Sequence, residues 1–189
     1  AIPPLPAQME TDDALRLRTQ MSLDGFTTAG TEGSYRYHAM SAAGGVRDVG
    51  VSRSAPGTVH ITVLSHGNSG QPSAALIDDV RAAVEEARPM CDTVSVAAPD
   101  FIDITVSATL LIRGSPGIDA VLAASRTALD TYLEEDMRVG RIVRRSSIIA
   151  ALHQAGVESV VLDSPAADID PGERGVVRPG FIDIEATLA

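Results

Sequence analysis

"PDFIDITVSATL", Pro99–Leu110, alternates without a break. Ile102, Ile104, Val106, Ala108, Leu110 and, just beyond, Ile112 fall on one side, and Asp103, Thr105, Ser107 and Thr109 fall on the other. A period of two is that of a strand with one face buried and one wet, so a long half-buried strand is expected here. The same frame returns near the end of the chain as "PGFIDIEATL", Pro179–Leu188. Asp103 and Asp183 therefore raise the question of a paired acidic site. The alternation answers it: both carboxylates are expected to face solvent, where outward charge guards a strand edge against stray pairing. Each Pro is expected to stop the preceding segment from pairing, and each Phe to pack at the mouth of its strand.

Outward from the first of these strands, "GSPG" starts a helix, with Ser115 as cap and Pro116 in the first turn. Its inner stripe reads Ile118, Leu122, Ser125, Leu129, Tyr132 and Leu133. A shorter helix over "RSSIIAALHQA", capped by Ser146 and stopped by Gly156, leads to the strand "VESVVLD". The turn-rich connection "SPAADIDPGERGVVRPG" follows, with a short strand expected at Val176–Val177 before the second FIDI strand. On the N-terminal side, "TVSVAA" is a short strand preceded by the helix "SAALIDDVRAAVEEA". The apolar positions of that helix, Leu76, Val80, Ala83, Val84 and Ala87, recur at helical spacing. Two more strands, "VRDVGVS" and "TVHITVL", are joined by the turn "RSAPG". In the second, Val59, Ile61 and Val63 point inward and Thr58, His60 and Thr62 outward. A helix over "SYRYHAMSAA" stops at Gly44–Gly45. "LDGFTTAGTEG" reads as loop, and a short helix begins after a Thr11 cap. The opening "AIPPLPAQMETDD", with Pro3, Pro4 and Pro6, reads as an extended linker expected to join something upstream.

An internal repeat emerges. "HAMSAAGGVRDVGVSRSAP" and "AALHQAGVESVVLDSP" share a small-residue helix end, Gly-Val, apolar residues at matching offsets, then Ser and Pro. Val46, Val49 and Val51 correspond to Val157, Val160 and Leu162. Continuing that order pairs "FIDIEATL" with "TVHITVL" and gives the two FIDI copies different places in the plan.

Hydrophobic residues make up 44% of the 189, enough for a packed core, while aromatics make up only 3%. That core must be built from Val, Ile, Leu and Ala, which suits mixed helices and strands. The net charge of −10 and the lack of a basic stripe argue against nucleic-acid binding. No apolar run reaches the roughly 20 residues of a membrane helix. The chain has no lysine; all 15 of its basic residues are Arg. The only tight basic cluster is Arg138, Arg141, Arg144 and Arg145. It reads as a helix flank offsetting Glu134, Glu135 and Asp136, and as the one candidate patch for contacting a partner.

Candidates for chemistry are sparse. His38, His60, His66 and His153 form no metal-binding spacing. His66, in "LSHGNSG", has no Asp beside it to orient it as a base. Cys91 is the only cysteine and is expected to be a buried structural thiol. "ADIDPGERG" has carboxylates two apart but lacks the further ligands of a calcium loop. "GNSGQPS" is not a phosphate loop, and no GxSxG elbow occurs. No cofactor, metal or catalytic residue is expected.

Several stretches taken in order carry a resemblance. They are "ETDDALRLR", "TTAGTEGSYRYHAMSA", "VRDVGVS", "PGTVHITVL", "GQPSAALIDDVRAAVEEARPMCDTVSVAAP" and "RVGRIVRRSSIIAALHQAGVESVVLDSPAADI". Together they resemble the baseplate J-like proteins of contractile-tailed bacteriophages and related injection machines. The most specific pieces are "TAGTEGSYRYHA", "RPMCDTVSV" and "VVLDSPAADI". The resemblance implies a non-catalytic wedge component of the tail baseplate, assembled in the bacterial host cytoplasm. It implies contacts with further copies of itself and with other baseplate proteins, and a further N-terminal region beyond this chain.

The expectation is an α+β protein: a linker and short helix over 1–26, then two related helix-plus-sheet modules at 27–99 and 100–189. A small-molecule or regulatory binding module is the alternative, because paired helix-and-strand units can cup a ligand. A hydrolase using His66 is a third.

Overall fold

The structure is a computed structural model that describes residues 12–27, 29–113 and 117–188. The proline-rich opening, the Thr11 cap and the Ser115–Pro116 helix start lie outside the described residues. The chain divides between Pro99 and Asp100 into two compact units.

In the first unit, α1 (Asp12–Gln20) leads into a short 3₁₀ helix, Met21–Phe26. That turn takes up part of the stretch expected to be loop. Thr31 then caps α2 (Glu32–Ser41), its side chain accepting from the Ser34 amide at 3.3 Å. Strands β1 (Val46–Ala55) and β2 (Thr58–Ser65) form a hairpin through Pro56 and Gly57. Ser73 caps α3 (Ala74–Ala87), which crosses over to β3 (Thr93–Ala97). The sheet order is β1-β2-β3, with β1 antiparallel and β3 parallel to the middle strand. Val59, Ile61 and Val63 of β2 pack with Tyr35 and Ala39 of α2 and with Leu76, Val80 and Val84 of α3, as the two periodicities require. Thr62, expected outward, is only 3% exposed, and Leu64 on the same side of β2 is fully buried. The strict in–out alternation fails at that end of the strand.

The second unit opens on β4 (Asp100–Ile112), the strand read first from the sequence. From Ile104 to Ile112 every inward residue of β4 is at most 2% exposed. Ile102, at the strand's start, is 38% exposed. Helix α4 (Ile118–Asp136) buries Val121, Ser125, Leu129 and Leu133. The expected stripe missed Val121, while Ile118, Leu122 and Tyr132 flank it half-buried. The Ser125 hydroxyl is satisfied by the Leu152 carbonyl at 3.0 Å. Helix α5 (Arg145–Leu152) and β5 (Val157–Ser164) follow, and β6 (Gly175–Leu188) closes the unit. The order is β5-β4-β6, with β5 antiparallel and β6 parallel to β4.

Two expectations about β6 are corrected. Val176–Val177 is not a separate strand, and Pro179 does not stop pairing. One strand runs through both, with Pro179 opposite Ile104 at a shift in register. An edge strand tolerates a missing N–H where the ladder is already interrupted. Gly180 permits the bulge: a Cβ there would stand 2.7 Å from the Ile104 carbonyl oxygen.

The two sheets match strand for strand, but the chain visits them in a different order. The middle strands are β2 and β4, each followed by the unit's longer helix. The antiparallel neighbours are β1 and β5, each entered from a shorter helix through a Gly-Val step. The parallel neighbours are β3 and β6. So the first FIDI strand occupies the position of "TVHITVL", and the second occupies that of β3. This overturns the expected pairing of "FIDIEATL" with "TVHITVL". The repeat in sequence covers a helix end and the strand after it. Beyond that point the routes diverge, because β1 turns straight into its neighbour whereas the chain after β5 crosses to the far side of β4.

Candidate functional site

The four candidate arginines lie on and around the segment between α4 and α5, and the fold uses them differently. Arg141 Nε donates to Asp136 Oδ1 at 2.7 Å, and Arg144 Nη1 donates to Asp168 Oδ2 at 3.3 Å. The Arg145 guanidinium reaches back to two backbone carbonyls, those of Pro165 and Leu162, the latter at 3.0 Å. Arg138 is exposed, and its guanidinium has no hydrogen-bond or ion-pair partner among the described residues.

Helix α5 begins at Arg145, and Ser146 does not cap it. Asp168 does so from a distant loop, accepting from the Arg145 amide at 2.9 Å. A carboxylate at that position also favours the helix dipole. Asp170 accepts from the Gly172 amide at 2.9 Å, so both aspartates of "ADIDPGERG" hold backbone amides.

Beside the arginines, Tyr132, Asp136, Arg141, Arg144 and Ser147 line a cavity of about 250 Å³. The Asp136 carboxylate accepts from both Tyr132 (3.1 Å) and Arg141. Burial pushes the Tyr132 hydroxyl up from its ordinary pKa, so it remains a donor. The two cations of the cavity are matched by Asp136 and Asp168, which leaves no unbalanced charge to select a ligand. Among the described residues no group of three or more His, Cys, Asp or Glu could hold a metal ion. None of their helices is long and apolar enough to cross a membrane.

The other candidates separate as well. Cys91 is exposed, contrary to expectation. It sits in the turn between α3 and β3, where the Asp92 amide closes on the Pro89 carbonyl and neighbouring Met90 is fully exposed. His60 is held between Ser95 and Ser54, the latter at 2.9 Å. His66 is exposed and makes no side-chain hydrogen bond to a described residue.

Asp103 and Asp183 are both exposed, as the alternation implied, and do not form a pair. Asp103 lies opposite Arg178 in the ladder, with Nε–Oδ1 at 2.5 Å and Nη2–Oδ2 at 3.3 Å. The same guanidinium stands 4.6 Å over the Phe101 ring, which is how Phe101 packs at its strand mouth. Phe181, by contrast, is 69% exposed. The hydrogen bond from Arg178 holds the Asp103 carboxyl below the usual carboxylate range. A depressed folded pKa gives stability that is present at neutral pH and lost as pH falls through that value. The gap in Tm between the protein and Asp103→Asn is expected to be open at pH 7 and to close as pH falls through the lowered range in which Asp103 takes up its proton. A gap of constant size from acid to neutral pH would count against the pair.

What the sequence reading undervalued is the other side of the β5-β4-β6 sheet. Helices α4 and α5 and the core take one face. The opposite face presents Ser107, Thr109 and Leu111 of β4, flanked in register by Asp183, Glu185 and Thr187 of β6 and by Val161 of β5. Val161 is 56% exposed. Asp163, the extra residue where β5 bulges against Ser107–Ala108, is exposed beside it. Alternation alone could have marked this face, but not that it would be left open.

Two units, each a mixed three-stranded sheet packed with helices, define an α+β protein. The chain belongs to the baseplate J-like family. Residues 27–98 match the Baseplate J-like central domain, and residues 104–185 match the Baseplate J-like protein C-terminal domain. Baseplate protein J of Escherichia phage P2 is 41% identical over 170 residues, 89% of this chain and 56% of that protein. The chain thus spans little more than half the length of that relative. A chain in the cryo-EM structure of the anti-feeding prophage (AFP) baseplate, 6-fold symmetrised, shares the fold. It aligns with a TM-score of 0.62 over 92% of this chain and 42% of its own, at 13% identity.

Proposed function

We propose that this chain is part of a structural, non-catalytic building block of a phage tail baseplate. The block is made in the bacterial host cytoplasm and carried in the virion tail. The observation that supports this most is the 41% identity with Baseplate protein J across both units. Its partners on this reading are other baseplate proteins and further copies of itself, met through exposed loops and sheet faces. Residues 27–99 and 100–189 act as two separately folded modules that set the spacing between such contacts. The arginine segment supplies one contact. Arg138, Arg141 and Arg144 present their charge outward, while Arg145 fixes the loop beneath them. Individually weak polar contacts of this kind become strong when repeated around a ring.

The test is to purify tails from cells expressing the full set of tail genes. The protein is expected in intact particles beside the sheath and tube, in density with the symmetry of the baseplate. Complete, contractile tails that lack the protein would overturn the reading.

A further inference from the structure

We propose that the open face of the β5-β4-β6 sheet receives a lysine- or arginine-bearing surface of a different protein, and not a second copy of this chain. This rests on the baseplate reading and adds to it the face and the chemistry of the partner. The face has a distinct charge pattern. Asp183 and Glu185 stand side by side along β6, and Asp163 stands across the sheet, about two strand spacings of roughly 4.8 Å away. All three are exposed, and none of their carboxylates has a hydrogen-bond or ion-pair partner among the described residues. Between them lie Ser107, Thr109, Leu111 and the exposed Val161. A long basic side chain fits such a surface twice over: its aliphatic stem lies across Val161 and Leu111, and its head group reaches a carboxylate. Two copies placed face to face around a two-fold axis would set these carboxylates against each other, which disfavours a symmetric contact.

A head-to-tail contact between copies would need free cations on this chain, and they are scarce. The chain has no lysine, and among the described residues every arginine except Arg138 and Arg174 already has a partner within the fold. The acidic surplus of −10 is therefore not neutralised by free cations within residues 1–189. An acidic face equally repels nucleic acid and anionic lipid, which leaves a basic protein surface as the occupant.

The experiment uses assembled tails. The double substitution D183K/E185K is expected to lower incorporation into particles by at least about tenfold, with an unchanged melting curve. D79K/E86K, the same charge change on exposed positions of α3, is expected to incorporate normally. If D183K/E185K fails to fold, the near-isosteric D183N/E185Q takes its place and should lower incorporation while flattening the dependence of assembly on salt. Carbodiimide treatment of wild-type tails then identifies the occupant. Because residues 1–189 contain no lysine, a lysine joined to the Asp183 or Glu185 side chain lies outside them, and the sequence of the cross-linked peptide shows which protein supplied it. Equal incorporation of both double variants overturns the proposal. So does restoration of D183K/E185K by adding R138E/R174E to the same chain, which would make the occupant a second copy. Absence of the wild-type protein from tails would instead remove the baseplate reading itself.

Discussion

Gly30→Val is expected to destabilise the first unit by about 2–4 kcal/mol, with the second unit unchanged. Gly30 has φ +67°, a left-handed conformation that costs a side-chain-bearing residue roughly 1–2 kcal/mol. The space is also closed: a Cβ would stand 2.8 Å from Pro89 Cγ and 2.9 Å from Asp92 Oδ2. Asp92 cannot swing aside freely, because its Oδ2 accepts from the Tyr35 hydroxyl at 2.7 Å. Tyr35 is 2% exposed, and burial raises its pKa further above its ordinary value, so the proton stays on the donor. The Gly30 carbonyl is itself held by Arg53 Nη2 at 3.1 Å. Amide hydrogen exchange resolves the two units: protection in β2 and β3 should fall by the full amount while β4 keeps its own. A melting temperature within about 1 °C of the parent would show that the turn opens at little cost.

That cluster explains why a resemblance could be read from scattered pieces of sequence. Gly30 and Tyr35 belong to "TAGTEGSYRYHA", and Pro89 and Asp92 to "RPMCDTVSV". The two pieces meet, and a third, "VVLDSPAADI", braces the start of α5 through Leu162, Pro165 and Asp168. They are joints of the fold. The strands, the helices and the inward residues of β4 were legible because each follows from local periodicity. Sheet order was not, since nothing in "FIDIEATL" says whether it lies beside β4 or takes the place of β2. Pro179 misled for a related reason: it breaks a strand in isolation, yet an edge strand with Gly180 at a bulge absorbs it. The cap of α5 was invisible because Asp168 lies 23 residues beyond the amide it accepts from. Cys91 reads as a buried thiol from its place ahead of an apolar strand, whereas the turn that carries it leaves it exposed. The arginine cluster stands out in the sequence by charge density, which cannot distinguish a free guanidinium from one already holding a carbonyl.

That distinction yields a sharp contrast between two arginines of one cluster. Arg145→Met keeps the aliphatic stem but removes both donors, leaving the carbonyls of Leu162 and Pro165, both on buried residues, without that guanidinium. Each lost charge-assisted bond to a buried carbonyl costs roughly 1–3 kcal/mol, so a loss of about 2–4 kcal/mol in the second unit is expected. The turn after β5 should loosen with it, because Asp168 depends on the same segment to reach the α5 amide. Arg138→Met changes the net charge identically and should move stability by no more than about 0.5 kcal/mol, since the Arg138 guanidinium holds no described residue. In tails the order inverts. Arg138→Glu should weaken incorporation while melting like the parent. Any incorporation defect of Arg145→Met should shrink at low temperature, where the fold is restored. Urea unfolding of both methionine variants is the first measurement. If Arg145→Met unfolds at the parent's midpoint, its guanidinium is free for a partner after all, and the cluster would act as one undivided patch.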